Sequence, residues 1–174
     1  MATQTHPAIT DEMRARIGVE SEPRVSDPVD KSLIRIWAIS LAWPEAPDRL
    51  YWDEEYAKKT RYGGIIAPPY FNPFAYKIDE ARMEGANRGI GDGLAERAAA
   101  GRPGGNGGGE AEYFDVPIRP GDVITSRSKL ADIYVREGRT GQTLFRVTET
   151  RWTNQKGELV RIYRGTGFEL LGRR

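Results

Sequence analysis

Between Ala111 and Leu170 the chain reads as four strand-length runs separated by turn sequences, and this meander constrains the fold more than any other feature. The runs lie near Ala111 to Val116, Val123 to Val135, Gln142 to Thr153 and Glu158 to Leu170. Between them stand Arg119-Pro120-Gly121-Asp122, Glu137-Gly138-Arg139-Thr140-Gly141 and Asn154-Gln155-Lys156-Gly157, whose Gly, Pro, Asn and Asp residues suit tight turns. Strands joined so closely can only pair antiparallel. Alternation along Thr143, Phe145 and Val147, and along Val160, Ile162 and Phe168, predicts an apolar face on that sheet. Such a face has to be covered, and helices are the available cover, so the expected class is α+β.

The cover must come from the earlier part of the chain. Thr10 suits the N-cap of a short helix from Asp11 to Ile17, with acids in its first turn and Gly18 just past its end. Asp30 suits the cap of a longer one, along which Leu33, Ile36, Trp37 and Leu41 recur at helical spacing while Ile34 and Ala38 widen the stripe, until Pro44 ends it. Asp53 to Lys59 reads as one or two helical turns, with acids preceding bases. The apolar stretch from Arg61 to Phe74 holds three prolines, which prevent one uninterrupted helix; helix is expected to resume around Phe74 to Met83. Ile34, Trp37 and the aromatics from Tyr70 to Phe74 are the candidates for the cover. Half of the 20 glycines fall between Gly85 and Gly109, so residues 86–109 read as a flexible surface loop. Gly89-x-Gly91 follows no apolar strand and lacks the spacing of a dinucleotide loop.

Composition narrows the function. A chain of 174 residues is long enough for one domain, expected to span 1–174. With 26 basic and 25 acidic side chains there is no global field to draw a nucleic acid or an anionic membrane. No apolar run approaches the ~20 residues that span a bilayer, and the N-terminus lacks the pattern of a signal peptide, so a cytoplasmic protein is expected. The absence of cysteine excludes disulfides, thiolate nucleophiles and Cys-ligated metals. The one histidine, His6, sits before Pro7 in a terminal segment expected to be solvated. Chemistry needing an imidazole in a pocket must therefore borrow it from another chain.

Leu50-Tyr51-Trp52-Asp53-Glu54-Glu55-Tyr56-Ala57, followed by Thr60-Arg61-Tyr62-Gly63-Gly64-Ile65-Ile66-Ala67-Pro68-Pro69, resembles the signature of the MaoC-like hydratase and dehydratase superfamily. It is most similar to the N-terminal, fatty-acid-synthase-like dehydratase domain of that group, and Ile118-Arg119-Pro120-Gly121-Asp122 resembles the turn that opens the family's later strands. The likeness runs from about Ile9 to Leu170 and is weakest from Ala86 to Gly109. It implies a hot-dog fold, in which an antiparallel sheet wraps a central helix, here shortened or kinked by Pro73. It also implies work in pairs, with an acyl-thioester tunnel between two such units.

This chain departs from the catalytic pattern of that superfamily at the decisive positions. Catalytic members resemble Gly-Asp-x-Asn-Pro-x-His-x-Asp, whose Asp and His hold the water that adds to an enoyl double bond. Here the Asp position is Ala46, the Asn position Asp48, the Pro position Arg49 and the His position Tyr51. Where catalytic members continue Ile-Ala-His-Gly, with backbone amides that polarise the thioester carbonyl, this chain has Pro68 and Pro69, which carry no N–H. A phenol with a pKa near ~10 is a poor base at neutral pH.

The resemblance thus implies no catalytic residue in this chain and a non-catalytic, acyl-chain-binding subunit of a heteromeric enoyl-CoA hydratase, in a heterodimer or heterotetramer with a catalytic MaoC-like subunit. Coenzyme A enters as part of the substrate, with no separate cofactor and no metal. The acyl group is either an ordinary fatty chain or a bulky one such as a steroid side chain. The candidate substrate-binding residues are Tyr51, Trp52, Tyr62, Gly64, Ile65, Ile66, Pro68, Pro69, Tyr70 and Phe71. Lys58, Lys59 and Arg61 are candidates to meet the phosphates of coenzyme A, or else a solvated cluster at a helix end. Two other readings stay open. One is a stand-alone hot-dog thioesterase using Asp48, Asp53 or Glu54; the other is a non-enzymatic acyl-CoA-binding homodimer.

Overall fold

The computed structural model describes residues 6–75, 104–139 and 141–171. In chain order it contains α1 (Asp11–Ala15), β1 (Arg24–Val25), α2 (Lys31–Ala42), a 3-10 turn (Arg49–Tyr51), α3 (Glu54–Lys58), β2 (Gly104–Tyr113), β3 (Thr125–Gly138), β4 (Gly141–Thr153) and β5 (Leu159–Leu170). The strands form one antiparallel sheet in the order β1-β3-β4-β5-β2. The three turns sit where the sequence places them. Asp122 N–H donates to the Arg119 carbonyl, Gly138 pairs with Gly141, and Gly157 N–H donates to the Asn154 carbonyl.

The helix starts follow their caps. The Thr10 hydroxyl accepts from Met13 N–H, and the Asp30 carboxylate accepts from Ser32 N–H at 2.6 Å. α1 is shorter than expected, closing at Ala15. On α2 the buried stripe is Ile34 and Ala38, with Leu33 and Trp37 packed beside them. Ile36 and Leu41, which the spacing placed on that stripe, are exposed. Ile36 lies just over half a turn round from Ile34, on the opposite side of the helix, and Leu41 belongs to the last turn, beyond the packed stretch.

The sheet buries the opposite face of β4 from the one alternation suggested. Leu144 and Trp152 are buried, whereas Phe145 and Val147 are half-buried on the other side, where Phe145 stacks on Tyr134 at 5.1 Å. The inward face was hidden by its polar members, which are paired within the fold. Thr150 bonds Ser128 at 2.8 Å and Arg146 bonds Glu169 at 3.1 Å. This face carries two clusters. Ile9, Ile133, Val135 and Leu144 pack under α1, while Trp152 and Val160 pack with Ile34, Phe71 and Phe74. α2 and the aromatic stretch thus provide the expected cover, with Trp37 edge-on to Phe71 at 5.7 Å and Phe74 edge-on to Trp152 at 5.4 Å.

A second correction concerns the glycine-rich run. Gly104 to Gly109, expected within a flexible loop, begins the edge strand β2, which pairs along β5 with a register shift between Asn106 and Gly109. Close approach requires glycine here. A Cβ on Gly104 would lie 2.6 Å from the Phe168 carbonyl oxygen, and one on Gly109 would lie 2.4 Å from the Tyr163 hydroxyl. The rest of the expected loop, and the expected helix beyond Ala75, lie outside the described residues. Among the described residues no helix is long and apolar enough to cross a membrane.

Candidate functional site

The turn carrying Tyr51 is fixed by its neighbours in sequence. Asp48 caps it by accepting from Leu50 N–H at 2.8 Å, and Asp53 N–H donates to the Arg49 carbonyl at 2.8 Å. Asp53 in turn caps α3 through Tyr56 N–H and holds the Arg49 guanidinium at 2.6 and 3.0 Å. These contacts aim Tyr51 into a cleft of about 220 Å³ beside the core. Tyr62, Ile66, Pro68, Pro69 and Phe71 line the same cleft from the loop that follows. The loop is tied to the sheet side by Ala67 N–H, which donates to the Ile118 carbonyl at 2.7 Å.

Four other candidates face elsewhere. Ile65 is buried in the core, and Gly64 looks toward Arg119. Trp52 donates its indole N–H to the Pro47 carbonyl and borders an outer groove with Ile39 and Asp53. Tyr70 is exposed, with φ of 66°, and its N–H donates to the Tyr113 hydroxyl at 2.9 Å. Ala46 is exposed and does not line the cleft.

The opposite wall escaped the sequence reading. It includes Tyr113, Phe114, Asp115 and Val116 at and after the end of β2, together with Trp152 on β4 and Val160 and Arg161 on β5. Only strand register brings these together. Tyr113 pairs with Arg161, and Arg161 with Trp152. A tyrosine and a tryptophan in strand runs were visible in the sequence, but not their shared face.

The chemistry of the cleft follows from its polar groups. Burial raises the pKa of Tyr51, and the nearby Asp48 and Tyr62 raise it further. At neutral pH the phenol is therefore protonated, able to donate or accept a hydrogen bond but not to act as a base. The carboxylates considered for a thioesterase are engaged elsewhere. Hydrogen bonds from the Tyr56 amide and from Arg49 hold Asp53 below the usual carboxylate range, and the Lys31 ammonium does the same for Glu54. Asp48, as noted, caps the 3-10 turn. Of the basic candidates, Lys58 pairs with Glu55 at 2.9 Å, while the Arg61 guanidinium bonds the Tyr62 hydroxyl at 2.6 Å and lies over that ring. What the cleft offers is apolar and aromatic surface, several phenols, the guanidinium of Arg161 and one exposed carboxylate, Asp115, whose charge is felt by Arg61.

Comparison with known proteins now decides the family. Residues 15–163 match the model of the FAS1-like dehydratase domain region. The chain belongs to this family. A comparison with curated protein sequences gave no match. Among solved structures, the chain is similar to the ChsH1-ChsH2 complex from Mycobacterium tuberculosis, at 18% identity and a TM-score of 0.64, covering 89% of this chain and 86% of that one. It is similar to a MaoC-like dehydratase from Rhodospirillum rubrum at 18% identity and a TM-score of 0.54, covering 88% and 92%. It is also similar to the HadBC (3R-hydroxyacyl-ACP dehydratase) complex from M. tuberculosis at 19% identity and a TM-score of 0.51, covering 84% and 96%. The FAS1-like dehydratase fold is the hot-dog fold, as the MaoC signature implied.

Proposed function

We propose that this chain is the non-catalytic, acyl-chain-binding subunit of a heteromeric MaoC-like enoyl-CoA hydratase. The observation that carries the reading is the phenol of Tyr51, standing in the cleft at the motif's imidazole position and kept protonated by its surroundings. Addition of water across an enoyl double bond needs a base to take the proton of the water and an acid to protonate the α-carbon. The cleft-facing groups from the motif, Tyr51 and the two prolines, supply neither the base nor the backbone donors for the thioester oxygen.

Two further observations favour a partner over a self-contained site. The cleft, about 220 Å³, falls short of the roughly 300–1,000 Å³ of small-molecule sites, as a wall of a shared tunnel would. β2, a ten-residue edge strand, pairs on one side only among the described residues, leaving a row of backbone groups available to another chain. Two of the similar structures are themselves complexes of two named components. On this reading the partner brings base and acid, and this chain holds the acyl group of the coenzyme A thioester, with apolar walls that accept a fatty chain or a polycyclic one.

The test is to express the chain alone and together with a hydratase-like subunit, and to follow hydration of an enoyl-CoA. Turnover is expected only in the mixed preparation, and Tyr51→Phe in that preparation should leave kcat within about twofold, since no proton passes through the phenol. Turnover by the lone chain that survives Tyr51→Phe would contradict the proposal. A homodimer that binds acyl-CoA tightly with no partner would favour the non-enzymatic binding module instead.

A further inference from the structure

β5 carries an irregularity just where it passes the cleft. Trp152 pairs with Arg161 and Thr153 with Leu159, so Val160 is an extra residue opposite a single partner. Such a bulge turns two successive side chains toward one side of the sheet. Here both Val160 and Arg161 line the cleft, which regular alternation would forbid.

Arg161 is an unusual group to find in that position. Its guanidinium lies 4.4 Å from the Trp152 ring, 5.4 Å from Tyr163 and 5.7 Å from Tyr113, within the range of cation–π attraction for all three. The rings satisfy its charge only in part. Among the described residues no carboxylate or carbonyl accepts from it, and its Nε is buried without a hydrogen-bond partner. The other arginine beside the cleft, Arg61, has the Tyr62 hydroxyl, and its charge also feels Asp115. The buried carboxylates of the sheet, Glu149 and Glu169, are held by other cations. A half-buried guanidinium framed by aromatic faces, with N–H donors unused, is built to receive a planar anion in fork geometry.

We propose that Arg161 is a receptor for a carboxylate borne by the acyl group, so that this cleft selects acyl thioesters carrying an acid at the end away from coenzyme A. The inference rests on the reading of the cleft as an acyl site. It adds that the acyl group is not purely hydrocarbon: aromatic walls hold its chain and the guanidinium holds its polar end.

The experiment measures binding to the full chain, together with its co-purifying subunit where one is present, by quenching of tryptophan fluorescence. The probes are adipyl-, suberyl- and sebacyl-CoA, each set against hexanoyl-, octanoyl- and decanoyl-CoA of the same length. At least one dicarboxylic thioester is expected to bind about tenfold or more tightly than its match, as a charge-assisted pair allows. Arg161→Met should remove that preference, bringing each dicarboxylic thioester to the affinity of its monocarboxylic match. Equal affinity for both series in the unaltered protein overturns the assignment without any variant, so misfolding of Arg161→Met would not protect it. An equal loss for both series in Arg161→Met also overturns it, since the guanidinium would then be serving the coenzyme or the thioester. If no acyl-CoA of either series binds, the acyl-site reading itself fails, whereas binding of both without preference removes only the role of Arg161.

Discussion

Glu149 offers the sharpest test of how the sheet is held. It is buried on β4, where its oxygens meet Arg151 of the same strand at 2.9 Å, Arg164 of β5 at 2.9 Å and Lys129 of β3 at 3.2 Å. Burial alone would raise its pKa, but the hydrogen bonds from Arg151, Lys129 and Arg164 outweigh burial and bring it from 4.5 down to about 2. A depressed folded pKa means stability that is present above the unfolded value and lost as pH falls through the folded one. The full shift corresponds to a ceiling of about 3 kcal/mol. The three cations are partly open to solvent, which screens the cluster, so about 1–2 kcal/mol is the expected contribution. In Glu149→Gln the midpoint of thermal unfolding at neutral pH should fall by about 2–8 °C. Unfolding followed by circular dichroism across a pH series should show the gap between the two proteins widest above about pH 5 and closing as pH drops from 4.5 toward 2. A gap that does not change with pH, or none at neutral pH, would refute the assignment of this stability to the ionised carboxylate.

Two more perturbations test the packing. Ile34→Ala, at a fully buried position between α2 and the sheet, should cost about 2–4 kcal/mol in denaturant unfolding; a loss below about 1 kcal/mol would mean that α2 does not anchor the core. Gly109→Val places atoms where the Tyr163 hydroxyl and the Arg164 carbonyl already stand, so β2 should detach from β5 near that point. Hydrogen exchange would report the detachment as lost protection along Gly104–Tyr113, and unchanged protection would show that β2 does not depend on this close approach.

Particular residues show what could be read from sequence. The meander was legible because its turns are chemically marked, and β3, β4 and β5 begin and end within three residues of the places their flanking Gly, Asn and Pro residues indicate. Thr10 and Asp30 announced their helices because a cap is a local bond between a side chain and an amide two or three residues away. The strand from Gly104 was not legible. Its glycines serve contacts with Tyr163 and Phe168, some sixty residues further on, and composition alone makes the same run look like a loop. The inward face of β4 was misread because Thr150 and Arg146 look solvated until Ser128 and Glu169 are placed beside them.

The site divides along the same line. Tyr51, Tyr62, Ile66, Pro68, Pro69 and Phe71 share one continuous segment with a motif, so their convergence could be anticipated. Tyr113, Trp152 and Arg161 meet them only through strand pairing and one bulge, neither of which leaves a mark at short range. Trp52 and Tyr70 carry the right chemistry but point elsewhere, the first through its bond to Pro47 and the second through its left-handed backbone.

The most direct test of the central claim is a single-turnover measurement with the isolated chain in large excess over an enoyl-CoA, following the absorbance of the conjugated thioester. A protein whose cleft offers a protonated phenol in place of an imidazole should leave that signal flat at the uncatalysed rate, and a catalytic hydratase subunit added to the same cuvette should make it decay. Decay whose rate rises in proportion to the concentration of this chain alone would show that the catalytic groups lie within it and that no partner is needed to supply them.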